Sequence, residues 1–272
     1  MTQINERVAR HYGHAGIAEA ILAALAAAGK DIERLTPDDL APVDEFHTRG
    51  RAATVDLARL LGLEARHRVL DVGSGLGGPS RYLAHTYECS VVGVDLTPEF
   101  CAVARLLAER TGLSGRVSYR QGNALDLPFE DESFDIVWSQ NAAMNIAERD
   151  RLYREMRRVL RHGGRLAIND VTLGPGGAPH YPVPWAREAS TSFLLTAEVT
   201  RKRIEAAGFR VIAWEDTSAP ALEFSRRRAA AGPTALGIHL VMGADWPRMT
   251  ANTLRNLEED RIRSLHAVLE RI

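Results

Sequence analysis

Val69-Leu70-Asp71-Val72-Gly73-Ser74-Gly75-Leu76-Gly77-Gly78-Pro79 is the stretch that decides how this chain folds. Its apolar residues at 69, 70 and 72 read as a buried strand. The glycines that follow read as a tight turn, and Pro79 as the first turn of a helix, where a missing N–H is no loss. Glycine is needed in such a turn because the backbone must bend sharply and approach a ligand with no Cβ in the way. A strand, a glycine loop and a helix in that order make a ligand cradle.

On the C-terminal side of this stretch, short apolar runs alternate with helical ones, the signature of βα units and a parallel sheet. Strands are read at 68–72, 90–95, 117–121, 134–139 and 165–169, with helices opening near Pro79, Pro98 and Ala147. A further helix at 198–207 and a sixth strand at 209–215 follow. Residues 4–61 read as helical, and Thr36-Pro37-Asp38-Asp39 reads as a helix cap with proline in the first turn. Residues 173–184 are too rich in Gly and Pro for regular structure and are expected to form a lid. Residues 219 to about 260 read as helical, and 265–272 suits a closing strand as well as a helix end. The expected architecture is α/β, a Rossmann-like doubly wound, mostly parallel sheet. It carries an N-terminal helical cap (1–62), a core (63–216) with a lid loop (172–196), a helical insertion (217–262) and a closing strand (263–272).

Gly73, Gly75 and Gly78 also satisfy G-x-G-x-x-G, the dinucleotide fingerprint. Asp71 argues against a dinucleotide: a carboxylate two residues before the first glycine repels a pyrophosphate and suits a cationic amino group such as that of S-adenosylmethionine. After the second strand, Gly93-Val94-Asp95-Leu96 puts an acid at a strand end, where a carboxylate accepts both ribose hydroxyls. That ribose is common to NAD and S-adenosylmethionine.

The third element runs Gly122-Asn123-Ala124-Leu125-Asp126-Leu127-Pro128-Phe129-Glu130-Asp131-Glu132-Ser133-Phe134-Asp135-Ile136-Val137-Trp138. With the glycine loop and Asp95 before it, the chain from about Arg68 to Asp170 resembles the class I S-adenosylmethionine-dependent methyltransferases, and more weakly so to Glu215. The helical N-terminus and the helices after the sixth strand resemble small-molecule members, among them sarcosine and dimethylglycine N-methyltransferases and sugar O-methyltransferases of natural-product pathways. The resemblance implies S-adenosylmethionine as cofactor, S-adenosylhomocysteine as product, and transfer by in-line displacement to a small acceptor. It implies that Asn123 and Ala124 touch the adenine edge and that Tyr12 lies on the methionyl end. The cofactor set is then Tyr12, Asp71, Gly73, Ser74, Gly75, Gly77, Asp95, Leu96, Asn123, Ala124 and Gln140.

Acceptor choice is expected from the cap, the lid and the residues after the fourth strand. Asn141, Asn145, His180, Tyr181 and Trp185 are its candidate ligands, with Asp170, Asn145 and His47 as candidate catalytic groups. Asp170, read at the end of the fifth strand, suits capping of the lid backbone as well as catalysis. His11 and His14 are further acid–base candidates. Some related O-methyltransferases carry a histidine shortly after the fourth strand, but here that stretch reads Ser139-Gln140-Asn141-Ala142-Ala143-Met144-Asn145. An asparagine takes no proton at neutral pH, so an N-acceptor is slightly favoured over O or C.

Composition narrows the partners. A net charge of −1 and no basic run interleaved with aromatics argue against nucleic acid. The Arg226-Arg227-Arg228 cluster reads as a solvated helix face. No membrane span, secretory signal or metal-ligand spacing is read, and the chain is expected to be cytoplasmic with Cys89 and Cys101 as reduced thiols. A homodimer stays open. An NAD(P)-dependent oxidoreductase and a non-catalytic nucleoside-binding protein are the readings from other classes.

Overall fold

The computed structural model describes residues 3–13, 15–232 and 234–272; His14 lies outside them. Four helices come first: α1 (Gln3–Tyr12), α2 (Ile17–Ala27), α3 (Pro37–Asp44) and α4 (Arg51–Arg59). The start of α3 is set by a capping box. Asp39 N donates to Thr36 Oγ1 at 3.2 Å, Thr36 N donates back to Asp39 Oδ2 at 2.9 Å, and Pro37 opens the helix. Thr36→Ala leaves a helix donor unpaired and should cost about 1 kcal/mol. The check is urea unfolding, where the midpoint should fall with an unchanged slope.

Beyond α4 the chain alternates as β1 (Arg68–Val72), α5 (Gly78–Tyr87), β2 (Ser90–Asp95), α6 (Pro98–Arg110), β3 (Val117–Gln121), β4 (Phe134–Gln140), α7 (Arg149–Val159), β5 (Leu160–Leu173), α8 (Ala197–Ala206) and β6 (Phe209–Asp216). It then runs through α9 (Ser218–Ala231), α10 (His239–Met242) and α11 (Trp246–Glu258) into β7 (Ile262–Arg271). The seven strands form one sheet in the order β3-β2-β1-β4-β5-β7-β6. The first five are mutually parallel, and β7 runs antiparallel to both β5 and β6. Strand order reverses between β1 and β4, so a crevice opens outside their carboxyl ends, the place where open α/β sheets bind ligands.

Alternate side chains of each strand feed two cores. Leu70 and Val72 pack with Leu152, Tyr153 and Met156 of α7 and Ile204 of α8; Val69 and Trp138 pack on the other face with Leu57, Leu83 and Ala104. The last helix of the N-terminal region, α4, is therefore a sheet-covering helix. The rest of that region joins the C-terminal helices in one roof. Ile17, Ile21 and Leu25 share a cluster with Phe100, Leu107 and Val241, and Tyr12 and Phe46 pack against Ile238, Met242, Trp246 and Met249.

The length of β5 and the character of the lid segment differ from the sequence expectation, and the closing strand is present. β5 is fourteen residues long rather than five, because β7 pairs with it from Arg165 to Leu173. Asp170 consequently lies within the strand, opposite Leu265. The segment from 262 onward is a strand, its helix-like spacing arising because Leu265, Ala267, Val268 and Leu269 are all buried and both faces are covered. Finally, the expected lid is fastened down. Asn256 brackets His180, accepting from its N at 2.7 Å and donating to its O at 3.0 Å. Asn252 Nδ2 donates to Pro182 O at 2.9 Å, and Phe193 N to Met144 O at 2.8 Å. Val183, Trp185 and Ala186 within it are buried, so the segment packs down on the core as a strap.

Cys89 and Cys101 are free, buried and pushed up to about 11 by that burial, so both stay thiols at neutral pH. Among the described residues no helix is long and apolar enough to cross a membrane, and no group of three His, Cys, Asp or Glu side chains is placed to hold a metal ion.

Candidate active site

The crevice at the carboxyl ends of β1 and β4 deepens under the roof into a cavity of about 900 Å³. Its floor is the glycine loop. Gly73 N and Ser74 N donate to Val94 O at 2.8 and 3.1 Å, which folds the loop back onto β2. At Gly73 φ is +81°, and a Cβ there would meet that of Ala142 at 2.5 Å, so position 73 admits only glycine. Asp95 closes the loop from the other side. Its Oδ2 accepts from Gly75 N and its Oδ1 from Thr97 N, both at 2.9 Å.

Two acids face this floor, the buried Asp71 and the half-buried Asp95. Asp71 is held by Ser80 Oγ at 2.6 Å, and burial, opposed by that bond and reinforced by the negative charge of Asp95, pushes its carboxyl up to about 7. Burial also raises Asp95, against the pull of its two backbone donors. A cavity built with two carboxylates disfavoured by desolvation is prepared for a ligand that brings positive charge and hydroxyl donors.

The end of β4 and the turn before α4 supply the opposite wall. His47 Nε2 lies 3.1 Å from Glu45 Oε2, 3.0 Å from Gly50 O and 3.0 Å from Thr54 Oγ1. Thr54 Oγ1 reaches Glu45 Oε2 at 2.8 Å and Gln140 Oε1 at 3.2 Å, and Trp138 Nε1 donates to the same Gln140 oxygen at 2.9 Å. Burial alone would raise Glu45, but the hydrogen bond from His47 and the charges of His47 and Arg51 carry it below its usual range, so it stands as a carboxylate. All three acceptors gather at Nε2. With the proton there, His47 Nδ1 is the ring atom left without a partner among the described residues, in a side chain that lines the cavity. Gln140 Nε2, Asn141 Oδ1 and Ser74 Oγ, on the same walls, are buried with no hydrogen-bond partner. Orphans of this kind are rare in folded proteins and mark places where a ligand or water completes the site.

Residues 70–168 match the family model described as a methyltransferase domain. Sarcosine/dimethylglycine N-methyltransferase of Halorhodospira halochloris is 31% identical over 189 residues, which cover 69% of this chain and 67% of that protein. The chain belongs to the class I S-adenosylmethionine-dependent methyltransferases. Methyltransferase GfsG of Streptomyces halstedii is 38% identical over 135 residues, half of this chain and 49% of that protein, so the chain spans about half the length of this relative. The fold extends further than the sequence likeness. Geranyl diphosphate C-methyltransferase from Streptomyces coelicolor, solved with Mg2+, geranyl diphosphate and S-adenosyl-L-homocysteine, superposes with a TM-score of 0.74 at 17% identity, covering all of this chain and 99% of that one.

The methyltransferase cavity gathers most of the residues singled out in the sequence. Tyr12, His47, Asp71, Gly73, Ser74, Gly75, Asp95, Leu96, Asn123, Ala124, Gln140, Asn141, Asn145 and Trp185 all line it. Their chemistry fits a nucleoside carrying an ammonium: an acid for the amine, an acid for the diol, a glycine floor, and an unpartnered amide donor between them.

Five of the described candidates do not line it. Gly77 caps α5, and a Cβ there would overlap the Tyr119 ring, so its glycine serves packing. Asp170 is buried against Arg149 at 3.4 Å, and Arg149 in turn donates to Phe193 O at 3.1 Å, tying the strap to α7. His180 pairs with Glu259 at 2.8 Å on the far side of the strap, and Tyr181 packs with Val171 and Val183. Asn145 lines the cavity, yet its amide is spent. Nδ2 donates to Trp185 O at 2.7 Å and Thr191 O at 3.0 Å, and Oδ1 accepts from Tyr12 OH at 3.1 Å. It braces roof and strap. His11, expected among the acid–base groups, has its Nε2 2.9 Å from Pro184 O and also lies off the cavity wall.

Glu45 and Arg228 were missed as site residues. The sequence singles out His47 in this stretch, but its pairing with Glu45 needs the chain to leave helical geometry at Glu45, with φ −104° and ψ 81°, which spacing does not reveal. The arginine cluster divides. Arg226 and Arg227 pair with Glu258 and Glu223 on the surface, whereas Arg228 turns onto the cavity wall.

Proposed function

We propose that this chain is an S-adenosylmethionine-dependent methyltransferase acting on a small-molecule acceptor, with His47 as the group that takes the acceptor's proton. The observation that carries the cofactor side is the pair of acids, buried Asp71 and half-buried Asp95, on one glycine floor. Asp71 receives the amino group, Asp95 the ribose hydroxyls, and Asn123 with Ala124 the adenine edge. Asn123 Oδ1 accepts from Leu125 N at 2.9 Å, which shapes the turn that carries both. Gln140 Nε2 offers its free donor beside them. The bound cofactor supplies an electrophilic methyl on a sulfonium with a neutral leaving group.

The chain's own contribution is orientation and a dry enclosure, effects that supply much of the rate when two reactants must be collinear. Its second contribution is the base. Glu45 and Gly50 O gather at Nε2 of His47 and favour a proton there, so Nδ1 is the ring atom that would receive the acceptor's proton. The sequence expectation of an N-acceptor rested on the missing histidine after the fourth strand. A histidine reaches the cavity from the turn before α4 instead, which supports an acceptor that must lose a proton, a hydroxyl foremost. Amine transfer is the second reading, favoured by the acidic character that Asp71, Asp95 and Glu45 lend the cavity.

The test is a thermal melt with S-adenosylhomocysteine, S-adenosylmethionine and NADH in parallel. A ligand at 100 times its Kd adds about 2.7 kcal/mol, a shift of several degrees. Shifts with the two sulfur nucleosides and none with NADH are expected. A shift with NADH alone would overturn the reading in favour of an oxidoreductase. Cofactor binding without release of S-adenosylhomocysteine across phenols, alcohols and amines would leave a nucleoside-binding protein without methyl transfer.

A further inference from the structure

The roof wall of the cavity holds a cation that nothing among the described residues neutralises. Arg228, on α9, has its guanidinium stacked over the indole of Trp246, with Cζ 4.8 Å from the ring centroid. It is partly buried and lines the cavity with Ser225, His239 and Thr250. It makes no hydrogen bond and no ion pair among the described residues. Its two chain neighbours differ: Arg226 is bonded to Glu258 and Arg227 to Glu223. Burial alone lowers the Arg228 pKa, with no carboxylate opposing it.

A guanidinium loses hydration on such a wall, and it is held there only by an aromatic face and the enclosing apolar side chains. The five donors of its fork match a carboxylate or a phosphate in a planar, two-pronged arrangement. Beside the polar Ser225, His239 and Thr250 the same wall carries an apolar surface, with Ile238, Met242 and Trp246 in one buried cluster. The two features together describe a ligand with a hydrophobic body and an oxyanion.

We propose that the acceptor carries an oxyanion, a carboxylate or a phosphate ester, that seats on Arg228 while its hydrophobic body lies against Trp246 and Met242. This deepens the methyltransferase reading and rests on it. The proposal makes Arg228 a specificity-determining residue, distinct from the groups placed around the nucleoside.

The experiment uses the full chain saturated with S-adenosylhomocysteine. Binding of 4-phenylbutyrate, 4-phenylbutyl phosphate and the neutral 4-phenylbutanamide is read by tryptophan fluorescence and calorimetry for the wild type, Arg228→Gln and Arg228→Lys. At least one anionic probe should bind the wild type and weaken roughly 10- to 100-fold in Arg228→Gln. The amide should bind weakly and equally to all three. Arg228→Lys should fall between, since it keeps the charge and loses the fork. Whichever of the carboxylate and phosphate binds more tightly names the source of the oxyanion. S-adenosylhomocysteine must bind all three variants alike, which separates loss of the anion site from misfolding and from failure of the cofactor reading. Binding of the nucleoside to the wild type with no anionic probe bound, or with anion binding unchanged in Arg228→Gln, would overturn the proposal.

Discussion

Asp71→Asn should weaken S-adenosylhomocysteine binding by about 30-fold or more while leaving the ligand-free protein as stable as the wild type, or more so. The affinity loss follows from removing one partner of a buried charge pair, a change that costs about 2–5 kcal/mol because the ammonium is left without its counter-ion. The stability gain follows from the same burial. A free Asp side chain titrates near 3.9, and Asp71 in the fold is pushed up to about 7. The folded protein therefore holds a proton that the unfolded chain gives up between those values. Its stabilising share is complete below the unfolded pKa and is lost as pH rises through about 7. Ligand-free wild type should accordingly melt lower at pH 8 than at pH 6 by this group's share, and Asp71→Asn should lose that slope. The ligand effect has the opposite sign, because only the carboxylate attracts the amino group. Stabilisation by S-adenosylhomocysteine should grow from pH 6 to pH 8 in the wild type and stay flat in the variant. Isothermal calorimetry and melts at the two pH values check both halves. Affinity within a few-fold of wild type would remove Asp71 from the cofactor site.

The second large effect is expected at the base. With a hydroxyl acceptor, His47→Gln should lower kcat by about 100- to 1,000-fold, the usual worth of a positioned proton acceptor, with S-adenosylhomocysteine affinity unchanged. Added imidazole should recover part of the lost rate, which a merely structural loss would not allow. Glu45→Gln should give a smaller drop, since it keeps the shape of the turn and removes the charge that holds the Nε2 proton. With an amine acceptor supplied deprotonated, both variants should run close to wild type, because its lone pair is already nucleophilic. Equal loss for both acceptor classes would mean that His47 shapes the cavity and moves no proton.

Much of this molecule was legible in the chain because its determinants are local. The strand, glycine turn and helix from Val69 to Pro79 need only neighbouring residues, and the positive φ that asks for glycine at position 73 arises within that turn. Asp95 follows from the same βα logic one unit later. Thr36 and Asp39, three residues apart, carry their own helix start. Asp170 was misjudged because its surroundings are not local. β7, about a hundred residues further on, pairs with β5 and extends it past the point where apolar character ends, so an acid read as terminal sits inside the sheet. The strap was misjudged for a related reason. Its glycines and prolines forbid regular structure, but whether such a segment moves depends on partners such as Asn252 and Asn256 on a distant helix.

The sequence by itself determined the sheet's parallel half, the glycine floor and the two acids that line the cavity above it, because each follows from the pattern of a single βα unit. Tertiary structure alone decided which polar groups meet in the cavity. Glu45 with His47, Gln140 left with a free amide, and Arg228 turned inward while Arg226 and Arg227 stay in solvent are set by packing between elements far apart in the chain. Composition and spacing are blind to burial of that kind, and burial is what turns an ordinary carboxylate, imidazole or guanidinium into a functional group.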